Sequence, residues 1–131
     1  MGNSYELTKP SNLGEMFENS VNKYADRACL GTKNSQGEYE WVTYREMGRR
    51  IDNLRGGLAA VGIKRGDAVG IISNNSVDWA VGHFATAGLG ALYVPMYEAE
   101  LAHVWEYIIR DSAAKILFVS KAEIFEAVKD F

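Results

Sequence analysis

The chain has 131 residues, 47% of them hydrophobic, which is the size and apolar content of one domain able to bury a core. Its 14 basic and 17 acidic residues give a net charge of -3, a balance that excludes nucleic acid as an expected partner because polyanion surfaces need clustered Lys and Arg. Cys29 stands alone, so no disulfide forms within the chain, and no run reaches the ~18 consecutive apolar residues of a membrane span.

In chain order, the opening "MGNSYELTKP" lacks the basic and apolar blocks of a secretory leader. It would fit the N-myristoylation pattern at Gly2 only with Ser or Thr at position 6, which is Glu6. Leu13, Met16, Phe17, Val21 and Tyr24 then fall at helical spacing, with Asn12 and Glu15 resembling a cap. "ACLGT" and "EYEWV" flank the polar turn "KNSQG", so residues 28–42 read as a β-hairpin with Tyr39 and Trp41 on one face.

"VTYREM" opens the best-specified helix. Thr43 and Glu46 form a capping box in which the carboxylate reaches back to the Thr43 amide, and Val42 staples onto Met47. Tyr44, Met47, Ile51, Leu54, Leu58 and Val61 supply the apolar stripe; Gly62 closes the helix, with Ile63 folding back. Gly56 and Gly57 inside it each cost up to ~1 kcal/mol relative to Ala, so a second backbone is expected to pass close by.

Three apolar runs follow, at 68–73, 91–94 and 115–120, separated by two helical patterns. Val77, Ala80, Val81, Phe84 and Ala87 line the first helix; Leu101, Val104, Trp105 and Ile108 line the second. Such alternation predicts parallel strands covered on both faces. "SKAE" at 120–123 reads as a capping box starting a last helix with Ile124, Phe125 and Val128 inward. The fold class expected is therefore α/β: a helix, a hairpin, then a partly built parallel sheet flanked by helices.

The chemistry is sparse. "IISNNSVDW" has no glycine to let backbone amides approach a phosphate, so Asn74, Asn75 and Ser76 are read as a helix cap. "GLAAVGIK" and "GLGALY" miss the phosphate-loop patterns, and their glycines serve packing or turns. His83 and His103 have no partners at metal-ligand spacing; His103 and Glu106 share one helix side and could orient an acid/base pair, though such pairs are more often solvated neighbours. Cys29 has no His nearby in sequence, no G-x-S-x-G elbow occurs, and Trp41, Trp79 and Trp105 are read as packing residues. Glu98 and Glu100 follow a strand end but match the acidic first turn of the next helix.

The stretch from "WVTYREM" through "GIKRGDAVGIISNNSVDW" to "AGLGALYVPMY" resembles the N-terminal portion of the adenylate-forming enzymes: acyl-CoA synthetases, luciferases and peptide-synthetase adenylation domains. "VTYREM" is similar to their first core motif and "AGLGALYVPMY" to their second; "YVPMYEAELAHVWEYIIRDSAAKILFVS" is most like the long-chain fatty acyl branch. The resemblance implies that residues 1–131 are a partial N-terminal subdomain of an acyl-CoA synthetase. The parent would use ATP, Mg²⁺ and coenzyme A on a fatty acid. It also implies that the phosphate loop, nucleotide contacts, metal-linked Glu and catalytic Lys lie beyond Phe131, so no catalytic, cofactor-binding or metal residue is assigned here, and the chain alone is expected to be inactive. Its partners would be the remainder of the adenylation domain and, through exposed surfaces, further copies of itself; the expected location is the cytoplasm, with peripheral membrane contact allowed for the parent. Aromatic, short-chain or amino acid carboxylates stay open. So do two other classes, a module taking a nucleotide at residues 73–76 and an interaction domain using its sheet edge.

Overall fold

The computed structural model describes residues 9–131, and the reading of Gly2 with Glu6 lies outside them. Helix α1 spans Leu13–Tyr24. Asn12 Oδ1 accepts from the Glu15 amide at 2.9 Å, while the Glu15 carboxylate accepts from the Ser11 amide at 2.7 Å. One first-turn donor that a helix leaves unpaired, the Glu15 amide, is thus satisfied by the cap, and the Glu15 side chain ties down the amide just ahead of it.

Strands β1 (Ala28–Lys33) and β2 (Tyr39–Thr43) form the antiparallel hairpin, with a bulge between Ala28 and Leu30. Asn34 Oδ1 accepts from the amides of Gln36 and Glu38, and Gly37 takes φ +81° in the turn. Tyr39 and Trp41 do share a face, their rings stacked with centroids 5.7 Å apart.

Helix α2 (Tyr44–Ala60) starts where its cap predicts, with Thr43 Oγ1 accepting from the Glu46 amide at 3.2 Å. The return half of the box does not form. Glu46 turns instead to Arg49 and Arg50 one turn on, both at 2.8 Å, because two guanidiniums outbid one neutral amide. At the other end Gly62 has φ +95°, its N–H bonds to Ala59 O, and the Ile63 N–H bonds to Leu58 O at 3.0 Å. That is a Schellman closure, and it buries Ile63 beside Leu58. Val61 itself is exposed, since it occupies the cap position rather than the stripe. Gly56 and Gly57 also correct the expectation: nothing lies within 4 Å of where their side chains would stand. The close approaches are elsewhere: a Cβ at Gly14 would stand 3.6 Å from the Gly88 backbone, and one at Gly48 would stand 3.0 Å from the Val21 side chain.

Strands β3 (Ala68–Ile72), β4 (Leu92–Met96) and β5 (Ile116–Val119) make a parallel sheet in the order β4-β3-β5. Val69 lies opposite Tyr93 and Ile116; Ile72 lies opposite Met96 and Val119. β4 runs through Pro95, past the expected end at Val94. An edge strand tolerates proline when the missing N–H points away from its neighbour.

Helix α3 (Val77–Gly88) joins β3 to β4, α4 (Ala102–Asp111) joins β4 to β5, and α5 (Ala122–Val128) follows. The sheet is covered on both faces. One core gathers Phe17, Met47, Ile51, Leu58, Val69, Val81 and Ala85 from α1, α2, α3 and β3. The other gathers Ile72, Met96, Trp105, Ile124 and Val128. Each fully buried aliphatic side chain such as Met47 or Ile72 contributes about 1.5–3 kcal/mol.

The α3 stripe forms as expected and is wider: Val77, Ala80, Val81 and Phe84 pack into the first core, Phe84 on Phe17 with centroids 4.3 Å apart, and Gly82, Ala85 and Thr86 are buried as well because α3 packs against α1, α2 and β4 together. The α4 and α5 stripes each differ from expectation at one residue. Leu101 is an exposed cap residue ahead of α4, and Phe125 of α5 is exposed. Among the described residues no helix is long and apolar enough to cross a membrane.

Candidate functional site

β3 sits between β4 and β5, so the chain leaves β3 toward one side of the sheet and later returns to its other side. Crossovers of one hand then place α3 on one face and α4 on the other, as the two cores show. α5 follows α4 onto the second face. The connections leaving the adjacent strands β3 and β5 therefore diverge. A crevice at the carboxyl ends of diverging parallel strands is the usual ligand position in open α/β sheets. A cleft of about 860 Å³ lies there, floored by Ile71, Val81 and Phe118 and rimmed by Arg50, Asn53, Asn75, Asp78 and Trp79.

One carboxylate organises the side of the cleft formed by the strand ends. Glu98 Oε1 accepts from the Asn74 amide at 2.9 Å and from Ser120 Oγ at 2.5 Å. Its Oε2 accepts from Asn74 Nδ2 at 3.0 Å and pairs with Lys121 Nζ at 2.5 Å. The Lys121 ammonium, followed by the Ser120 hydroxyl and the Asn74 amide, pulls the Glu98 carboxyl down to about 2. This replaces the expected helix-start role: α4 begins only at Ala102 and has no acidic residue in its first turn. Glu100 is exposed and takes no comparable place. Ser120 is likewise no cap, because its hydroxyl is committed to Glu98 and the cap position of α5 falls on Lys121. Sequence reasoning noted Glu98 past a strand end but gave it to the helix start, and it passed over Lys121, whose one signal was the same position just past a strand end.

The cap at residues 74–76 reduces to Ser76, whose Oγ accepts from the Trp79 amide at 3.0 Å. Asn74 faces Glu98 instead. Across this junction no glycine opens the backbone to a phosphate. Among the described residues no three His, Cys, Asp or Glu side chains gather to hold a cation. No nucleotide- or metal-dependent step is assigned to the cleft residues.

Trp79 forms the cleft's aromatic wall. Its ring stacks in parallel on His83, centroids 5.6 Å apart, and Tyr93 meets both edge-on. Tyr93 Oη donates to Trp79 O at 3.0 Å, and burial pushes that phenol well above its ordinary value. His103 lies on α4, away from His83 across the sheet, and Glu106 pairs with Arg110 rather than with His103. Trp105 is buried and donates its Nε1 to Tyr97 O at 2.8 Å. Burial pushes the Cys29 thiol up, outweighing the lowering influence of the nearby Tyr44 hydroxyl, which disfavours the nucleophilic thiolate.

Comparison with known proteins places this architecture. The AMP-binding enzyme family matches residues 17–131. Long chain acyl-CoA synthetase 4 of Arabidopsis thaliana is 33% identical over 119 residues, covering 88% of this chain and 18% of the relative. Fatty acyl-CoA synthetase A of Dictyostelium discoideum is 28% identical over 102 residues, or 74% of this chain and 15% of the relative. The chain thus spans less than a fifth of the length of these relatives. Among solved structures, the anthranilate CoA ligase AuaEII in complex with anthranoyl-AMP superposes with a TM-score of 0.81 at 23% identity, over 95% of this chain and 23% of that one. The N-terminal subdomain of Klebsiella oxytoca NpsA gives 0.74 at 20% identity, over 85% of this chain and 28% of that one. At those identities the two structures establish the fold. The family match, which takes in every strand of both sheets, establishes membership: the chain belongs to the AMP-binding enzymes, the adenylate-forming family that its motifs resemble.

Proposed function

We propose that this chain is the N-terminal supporting part of an ATP-dependent acid–thiol ligase whose carboxylate is a long-chain fatty acid. The observation that carries the reading is the family match over residues 17–131 together with relatives named long chain acyl-CoA synthetases. In that reaction the fatty carboxylate attacks the α-phosphorus of ATP and expels pyrophosphate. The thiolate of coenzyme A then attacks the acyl carbon and releases AMP. Neither step needs a protein nucleophile; positioning and neutralisation of the phosphate charge, with Mg²⁺, carry them. The partial burial of Cys29 and the engagement of Glu98 agree with a supporting role for these residues.

On this reading the parallel sheet, α2 and α3 form one wall of the adenylating domain, in the cytoplasm, and the reacting groups come from elsewhere in the enzyme. Pyrophosphate–ATP exchange tests it. With the chain alone, ATP, Mg²⁺ and a fatty acid, exchange stays at background; clear exchange refutes the supporting role. With a full-length enzyme carrying this segment, exchange is stimulated by palmitate and oleate above benzoate, acetate and amino acids. A preference for any of the latter overturns the long-chain assignment while leaving the family untouched.

A further inference from the structure

We infer that Glu98 is a positioning residue that ties the three carboxyl-end connections of the parallel sheet into one unit and so sets the mouth of the cleft. Three connections meet there: residues 73–76 after β3, 97–101 after β4 and 120–121 after β5. The backbone ladder weakens at this edge. Ser73 N–H reaches Met96 O at 3.4 Å and Ser120 N–H reaches Ile72 O at 3.2 Å. Beyond those bonds the Glu98 side chain takes over, reaching the first connection through both the amide and the side chain of Asn74 and the third through Ser120 and Lys121.

Each carboxylate oxygen accepts from two donors, which uses the four acceptor positions a carboxylate has. The Glu98 side chain is 9% exposed. A saturated, shielded carboxylate has nothing left for a ligand or a cation, so its work is to hold the chain. What it holds is the rim: Ser73, Asn74 and Ser120 all line the cleft, and Asn75 and Ser76 follow directly on Asn74. Lys121 supplies the charge that makes burial of the carboxylate tolerable. The inference stands on these contacts alone and uses no step of the ligase reaction.

Amide hydrogen exchange on the whole chain tests it. In Glu98→Gln, exchange at the bonded amides of the three connections, Ser73 and Asn74, Glu100, and Ser120, rises together, on the order of tenfold, with α1 and α2 unchanged. Lys121→Met is the milder and more discriminating variant. Freed from Lys121, Glu98 loses its fixed geometry, so residues 74–76 also loosen although Lys121 does not touch them. The double variant loosens no further than Glu98→Gln alone. Loosening in Lys121→Met confined to 119–121, or effects of the two changes that simply add, would overturn the inference, since either would mean independent local contacts.

Discussion

Tyr93 Oη hydrogen-bonds the carbonyl of Trp79 at 3.0 Å across the bare backbone of Gly82. The glycine is what admits the ring: a Cβ there would lie 2.6 Å from Tyr93 Oη and 3.2 Å from Cζ. Tyr93 and Trp79 in turn fix the aromatic wall of the cleft. Gly82→Ala is therefore expected to destabilise the chain by about 1–3 kcal/mol through overpacking. Urea denaturation measures it. Tyr93→Phe costs about 1 kcal/mol for the lost bond, and the double variant costs less than the sum because removing the hydroxyl relieves part of the clash.

Thr86 is fully buried in α3, and its Oγ1 has no hydrogen-bond partner among the described residues. A hydroxyl left unpaired in a core is a liability that an isosteric methyl removes. Thr86→Val should stabilise by about 1 kcal/mol, read as a rise of a few degrees in Tm. An unchanged or lower Tm would show that the hydroxyl is satisfied in solution.

Gly62 closes α2 at φ +95°, in a conformation that costs an L side chain about 1–2 kcal/mol. Open space surrounds the position, so Gly62→Ala isolates that backbone cost. A lowered thermal midpoint is expected. Gly56→Ala, inside the same helix and equally uncrowded, should instead stabilise by up to about 1 kcal/mol, and the opposite signs form the test.

Acid should weaken the fold in a defined window. The Arg49 and Arg50 guanidiniums hold the Glu46 carboxyl at about 2, as Lys121, Ser120 and Asn74 hold Glu98. A carboxyl lowered in the folded state from its ordinary 4.5 contributes stability that is fully present above that value. The contribution is lost as pH falls from there toward 2. Urea midpoints taken across this window should fall less steeply in Glu46→Gln and in Glu98→Gln than in the parent chain. Salt at about 1 M should shrink the Glu46 contribution more than that of Glu98, whose side chain is better shielded.

What could be read in advance is what the chain settles within a few residues. The Asn12, Thr43 and Ser76 caps and the Gly62 closure depend on partners three to five positions away, and all four form. The alternation of apolar runs with helical patterns likewise dictates the parallel sheet. What escaped is tertiary. Glu98 meets its partners 22 to 24 residues away, so its acidic, helix-flanking neighbourhood suggested a local role it does not play. Gly82 looks like one more small residue of α3 until Tyr93 arrives from the next strand. Gly56 and Gly57 erred the other way, because paired glycines suggested crowding where the helix faces open space. Glu46 shows two local rules in competition, and the pair of arginines prevailed over the cap.

The proline of β4 gives the sheet a preferred direction of growth. Pairing with β3 continues unbroken through Pro95, which leaves its absent N–H on the outer rim of β4. A strand arriving there would find a donor missing from the ladder, whereas the rim of β5 carries no proline. Accretion by β4 is thereby blunted, and any further strand, whether from the same polypeptide or a neighbour, is directed beyond β5.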